Sequence, residues 1–176
     1  MEKEGILLET GTNEVEILEL LINDQLFGVN VLKIKQILTY DDEMVTALRA
    51  PGVHPSLRGT ILFQGEAILL IDLGLYLYPT QYQQPDSTQV VIVCEFNNTR
   101  QGFLIDGVDR IYRLAWDQFQ APSAIIADIH SMVTGIVSVD ERDVLRIDFE
   151  GVLEDVRGEA RSAFEDAGIE EAQAPV

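Results

Sequence analysis

Apolar residues recur mostly at every second position. Val90, Ile92, Cys94 and Phe96 follow this rhythm. Phe103 and Ile105 continue it, as do Val133, Gly135, Val137 and Val139, and then Leu145 and Ile147. A period of two marks one face of a β-strand. Asn23-Asp24, Asn97-Asn98 and Asp106-Gly107 separate the runs with residues that accept turn backbones. Through Val15, Ile17, Leu18, Leu20 and Ile22 the alternation slips phase once, which predicts a bulge. Helical spacing is scarce. Val31, Ile34, Ile37 and Leu38 predict one face of a short helix, and residues 73–77 predict another turn. From Phe149, the positions Val152, Leu153, Val156, Ala160, Ala163, Phe164 and Ala167 predict a terminal amphipathic helix, weakened at Gly158. Beyond Gly168 the tail turns acidic and alanine-rich, and is expected to fray.

The pattern repeats. With a shift of 76 residues, two halves of the chain align without a gap: Phe27 falls on Phe103, Val29 on Ile105, Ile61 on Val137 and Ile71 on Ile147. Nearly half of the residues are apolar, so such matches are cheap. The pairing of Gly59 with Gly135 and of Asp72 with Asp148 in the same register is not. Two similar β units follow, each a small curled sheet with one buried face. Small sheets escape exposed edges by closing into barrels, and two barrels packed together share a core.

Composition narrows the function. The 176 residues hold 47% apolar side chains, enough for a packed interior. The net charge is −18, which disfavours nucleic acid and anionic membrane surfaces as partners. The ends carry most of that charge: residues 21–149 contribute only −7. No apolar run approaches the span of a bilayer, and Met1-Glu2-Lys3-Glu4 lacks the features of a signal peptide. A single cysteine excludes an internal disulfide and multi-cysteine metal sites. These features predict a soluble intracellular protein that does not insert into a membrane.

Candidate chemistry is thin. His54 and His130 have no metal-ligand partner at helical spacing and read as loop histidines. Cys94 lies on an alternating apolar strand and reads as a core residue. Asp72 and Asp148 could suggest a carboxylate pair, but each ends a strand and precedes a helical turn, where an N-cap belongs. Asn97-Asn98-Thr99 matches a glycosylation sequon and reads as a hairpin tip. No cofactor is expected and no enzyme; a duplicated β unit without a reactive cluster reads as a binding module.

Three segments resemble CheW-like chemotaxis domains: residues 27–34 (FGVNVLKI), residues 59–65 (GTILFQG) with Ile71-Asp72-Leu73, and Val133-Thr134-Gly135 with Ile147-Asp148-Phe149. The opening from Gly5 to Leu20 is closer still to the N-terminal domain of CheV proteins. The resemblance spans about residues 5 to 156. It implies a mostly β fold of two intertwined SH3-like five-stranded barrels. It also implies a non-catalytic adaptor of cytoplasmic chemoreceptor arrays, on the inner membrane face, linking the cytoplasmic tip of a chemoreceptor to the regulatory domain of the histidine kinase CheA. By position, the family's receptor groove falls on Gln36, Ile37 and Gln64. Many members carry Glu and Arg where Gln36 and Gln64 stand, and an Arg can fork onto a carboxylate where a Gln cannot.

The expected organisation is an N-terminal extension over residues 1–14, a CheW-like domain over 15–156, and a helix end with an acidic tail or linker over 157–176. CheV proteins continue into a phosphorylatable receiver domain, which would make this chain the adaptor half of a phosphorylation-regulated device. The two similar halves also suggest head-to-tail self-association.

Overall fold

The computed structural model describes residues 13–48, 51–124 and 131–166, with side chains in the last helix described as far as Gly158. Among these residues eleven strands and two α-helices follow one another: β1 (Glu14–Ile22), β2 (Gln25–Asn30), β3 (Ile34–Thr39), β4 (Val45–Ala47), β5 (Leu57–Phe63), β6 (Glu66–Asp72), α1 (Leu73–Leu77), β7 (Val90–Phe96), β8 (Thr99–Ile105), β9 (Gly107–Ala115), β10 (Val133–Val139), β11 (Arg142–Ile147) and α2 (Phe149–Asp166). His130 lies outside the described residues, as do most of the N-terminal extension and the end of the tail.

The hairpin tips use backbone that suits their residues. Asn23-Asp24 and Asn97-Asn98 both take positive φ (50° and 64°; 48° and 64°), as does Gln64 (49°) ahead of Gly65 (80°). Two successive left-handed residues match the twist of a two-residue hairpin, and Asn, Asp and Gly accept it most readily. Asp140-Glu141 does the same work with less favourable residues.

The strands form two sheets, in the orders β10-β11-β2-β1-β9 and β3-β7-β8-β6-β5-β4. Each curls shut. After β3 the chain turns through Asp42–Met44 into β4, which pairs with β5 at the far edge of the same sheet. After β9 it turns through Trp116–Gln118 to Gln120, whose backbone exchanges hydrogen bonds of 2.7 and 2.8 Å with Ile136 of β10. The 76-residue shift maps β1, β2, β5 and β6 onto β7, β8, β10 and β11. Yet the β1–β2 hairpin lies in the sheet of β9–β11, and the β7–β8 hairpin lies in the sheet of β3–β6. The halves have therefore exchanged their first hairpins. Two parallel contacts join them, β11 to β2 and β6 to β8.

Exchange explains the phase slip in β1. Val15 and Ile17 fill the first barrel, whereas Leu18, Leu20 and Ile22 face the core shared by both barrels. The register with β9 breaks between Leu18 and Leu20, as a bulge requires. Strand β7 is likewise buried on both faces: Val91 and Val93 fill the second barrel, and Ile92, Cys94 and Phe96 enter the shared core. That core is closed by α2, which lays Phe149, Val152, Leu153 and Val156 against it, with the Phe149 ring stacked 4.3 Å from Phe103.

One expectation fails. The predicted helix over Val31, Ile34, Ile37 and Leu38 is a three-residue 3-10 turn, Val31–Lys33, followed by strand β3. The near-helical spacing has another cause. A register shift between Ile34 and Gln36 lets Ile34 pack on the shared core and Leu38 on the second barrel's interior, so one strand serves two faces. Its β-branched residues favour that outcome.

Candidate functional site

Gln36 and Ile37 stand on β3 opposite Val93 and Ile92, and both are exposed. Gln64 occupies the exposed tip of the β5–β6 hairpin. The fold brings the two segments into one barrel. The turn after β3 delivers Val45 opposite Ile61, so residues 40–45 run beside the hairpin tip. Tyr40 and Met44 pack there against the cluster containing Ile61 and Phe63. Tyr40 Oη donates to Asp42 Oδ1 at 2.9 Å; burial, reinforced by that bond, pushes its phenol up to about 12.

Apolar side chains accompany these positions. Ile37 is 41% exposed and Leu62, two residues before Gln64, is 74% exposed. Leu62 was missed in the sequence, although its signal was there: Ile61 and Phe63 point inward, so period two sends Leu62 to the outside. Gln36 and Gln64 supply hydrogen-bonding groups without charge. Lys35 Nζ lies 3.1 Å from Glu95 Oε2, while the exposed acids Asp41, Asp42 and Glu43 lie on the turn beside the hairpin tip.

Asp72 and Asp148 sit elsewhere, each at the start of a helix. Asp72 Oδ1 accepts from Leu75 N at 3.1 Å and Asp148 Oδ1 from Gly151 N at 3.2 Å. Asp72 is fully buried; Arg58 Nε and Nη2 donate to its Oδ2 at 2.9 and 2.7 Å. Burial pushes the Asp72 carboxyl up, against the opposing pull of Arg58 and the Leu75 amide. His54 Nδ1 faces Ser56 Oγ at 2.7 Å in a half-buried loop. Cys94 is buried, and burial pushes its thiol up to about 12, so it is not a nucleophile near neutral pH. Among the described residues no group of three His, Cys, Asp or Glu is placed to hold a metal ion. No helix among them is long and apolar enough to cross a membrane.

A cleft of about 240 Å³ opens apart from the three predicted positions. Its apolar lining includes Val29, Phe96, Ile147 and Phe149. Lys33 and Glu150 pair across it at 2.8 Å, and Arg146 lies 5.1 Å from the ring of Trp116. None of this was legible in the sequence, because its parts come from five separate segments.

Two barrels that have exchanged hairpins define a fold built by duplication. The chain belongs to the CheW-like domain family, which matches residues 16–157. It is 26% identical over 135 residues to "Chemotaxis protein CheV3" of Helicobacter pylori, covering 75% of this chain and 42% of that one. It is 28% identical over 142 residues to "Chemotaxis protein CheV2" of the same organism, covering 75% and 45%. "Chemotaxis protein CheW" of Klebsiella aerogenes is 26% identical over 139 residues, covering 78% of this chain and 81% of that one. The chain thus spans less than half the length of the two CheV relatives. The scaffolding protein TtCheW of Thermoanaerobacter tengcongensis shares the fold, with a TM-score of 0.65 at 18% identity over 77% of this chain and 89% of that one.

Proposed function

We propose that this domain is a non-catalytic chemotaxis adaptor that couples the cytoplasmic tip of a chemoreceptor to the regulatory domain of the histidine kinase CheA, in arrays on the cytoplasmic face of the membrane. The observation that carries the reading is the exposed pair Ile37 and Leu62, flanked by Gln36 and Gln64, on one barrel of a CheW-like fold. Receptor helices bind there by laying an apolar stripe on Ile37 and Leu62, while the two glutamines hydrogen-bond to polar side chains along its margin. The related kinase domain binds through barrel-to-barrel contact, and the same contact mode permits self-association. Kinase output then follows geometry, because receptor changes shift which kinase arrangement is populated.

Binding of the domain to a chemoreceptor cytoplasmic fragment and to CheA, measured separately by calorimetry, tests the reading. Binding to neither defeats it. Gln64→Arg should change the affinity for the receptor fragment and leave the melting temperature within about 1 °C of the parent. An unchanged affinity removes Gln64 from the site.

A second reading rests on the CheV3 and CheV2 matches, of which the chain spans under half. In it, the adaptor acts beside a receiver domain that accepts phosphate from CheA. Phosphotransfer from labelled CheA to the full-length protein would support it; absence of label leaves the plain adaptor.

A further inference from the structure

The cleft beside α2 has a counterpart in the other half of the molecule, and there it is filled. Shifting its lining by 76 residues maps Asn30 onto Asp106, Trp116 onto Tyr40, Thr134 onto Arg58, Asp148 onto Asp72 and Glu150 onto Gly74. Of those counterparts, Asp106, Gly74, Asp72 and Arg58 neighbour Tyr82, and Tyr40 is joined to it through Gln89. The Tyr82 hydroxyl donates to Asp106 Oδ1 at 2.6 Å and accepts from Gln89 Nε2 at 2.9 Å. Its ring lies on Gly74 so closely that a Cβ there would collide with it. Asp72 and Arg58 are near enough to act on its phenol, and Tyr40 N donates to Gln89 O at 3.0 Å. Tyr82 arrives on the non-helical segment that follows α1. In the second half the chain after the equivalent turn continues as α2, so position 158, the counterpart of 82, is a glycine inside a helix. Among the described residues nothing folds back into this place.

We propose that the α2 cleft is a docking slot for a tyrosine side chain presented by a non-helical segment of a partner protein. The molecule shows what such a slot takes, because its own second copy holds a tyrosine. The five tyrosines of this sequence all lie among the described residues, and none but Tyr82 sits in such a place. Residues outside the described set contain no Phe, Tyr or Trp, and Phe164 lies about 22 Å along α2 from Phe149. The chemistry also fits. Val29, Phe96, Ile147 and Phe149 give the ring an apolar bed. Asn30 Oδ1 already accepts from Leu32 N at 3.0 Å, so the remaining polar atom of its amide is a donor, suited to the lone pairs of a phenol oxygen. The exchange of Asp106 for Asn30 reverses the direction of that hydrogen bond. Glu150 replaces Gly74 and holds the slot partly shut through Lys33. The inference does not rest on the coupling reading, since its test uses neither receptor nor kinase.

The chain's only tryptophan lines the slot and reports on it. The domain is titrated with N-acetyl-L-tyrosinamide, with emission excited at 295 nm and amide shifts followed by NMR. A saturable response centred on Asn30, Lys33, Trp116, Thr134 and Glu150 is expected, weaker with N-acetyl-L-phenylalaninamide and absent with N-acetyl-L-alaninamide. Glu150→Gly, which copies Gly74, should tighten binding roughly threefold or more by removing the obstructing side chain. Thr134→Phe should abolish the response by filling the slot, with thermal melts confirming that both variants fold. No saturable response, an equal response to the alanine compound, or a folded Glu150→Gly that binds no more tightly overturns the slot. An equal response to the phenylalanine compound overturns the choice of tyrosine.

Discussion

Asp72 and Asp148 occupy the same place in two halves of one chain, and each caps the helix that follows. Their surroundings differ. Asp72 is sealed from water and held by Arg58; Asp148 is exposed, and the counterpart of Arg58 is Thr134, whose hydroxyl instead accepts from Arg146 Nε at 3.0 Å. Duplication preserved what the backbone needs, a carboxylate at the first turn. It left the environment of that carboxylate free to diverge, and with it what each position contributes to stability.

The comparison can be broken where the halves should agree. Ile61 and Val137 are counterparts inside the two barrels, both almost fully buried. Ile61→Asp and Val137→Asp should each cost several kcal/mol and unfold the whole domain, because an unpaired charge enters either interior. Circular dichroism checks this, and one native variant would show that the barrels are not equivalent. Next comes the place where they should differ. Arg58→Ala leaves Asp72 buried without its cation and should cost about 2–3 kcal/mol, somewhat less than a fully buried pair because Arg58 is itself partly open to water. Thr134→Ala should cost under about 0.5 kcal/mol. Urea midpoints decide, and equal losses would refute the divergence. Asp148→Ala falls between these two, about 0.5–1 kcal/mol for one cap.

The smallest effect concerns Cys94, the counterpart of Leu18 in the shared core. Its folded-state pKa stands above the ordinary 9.0, at about 12. That shift contributes stability fully present below pH 9, which is lost as pH climbs through about 12. Native protein at pH 8 should resist thiol alkylation for as long as the fold holds, and should label at once in urea. Fast native labelling would place Cys94 outside the core.

Much of this was legible. Period two exposed the strands, the 76-residue shift exposed the duplication, and the phase slip at Ile17–Leu18 marked a strand with two buried faces. The rest depends on which strands meet. No periodicity says that β2 pairs with β11, because a hairpin has the same pattern whichever sheet receives it. The same gap produced the false helix at Val31–Leu38, where a bulged strand serving two cores imitates helical spacing. Among the proposed site residues, Gln36, Ile37 and Gln64 came from family resemblance. Leu62 required only the parity of β5. The cleft required the tertiary fold.

The exchanged hairpins carry a consequence for the molecule's symmetry. Each barrel borrows its first two strands from the opposite half, so neither half could have stood alone as a finished unit. The arrangement is that of a hairpin-swapped pair joined within one chain. Joining makes the neighbourhood permanent. One surface can then carry Tyr82 while its twin does not, a freedom that a symmetric pair of identical chains never has.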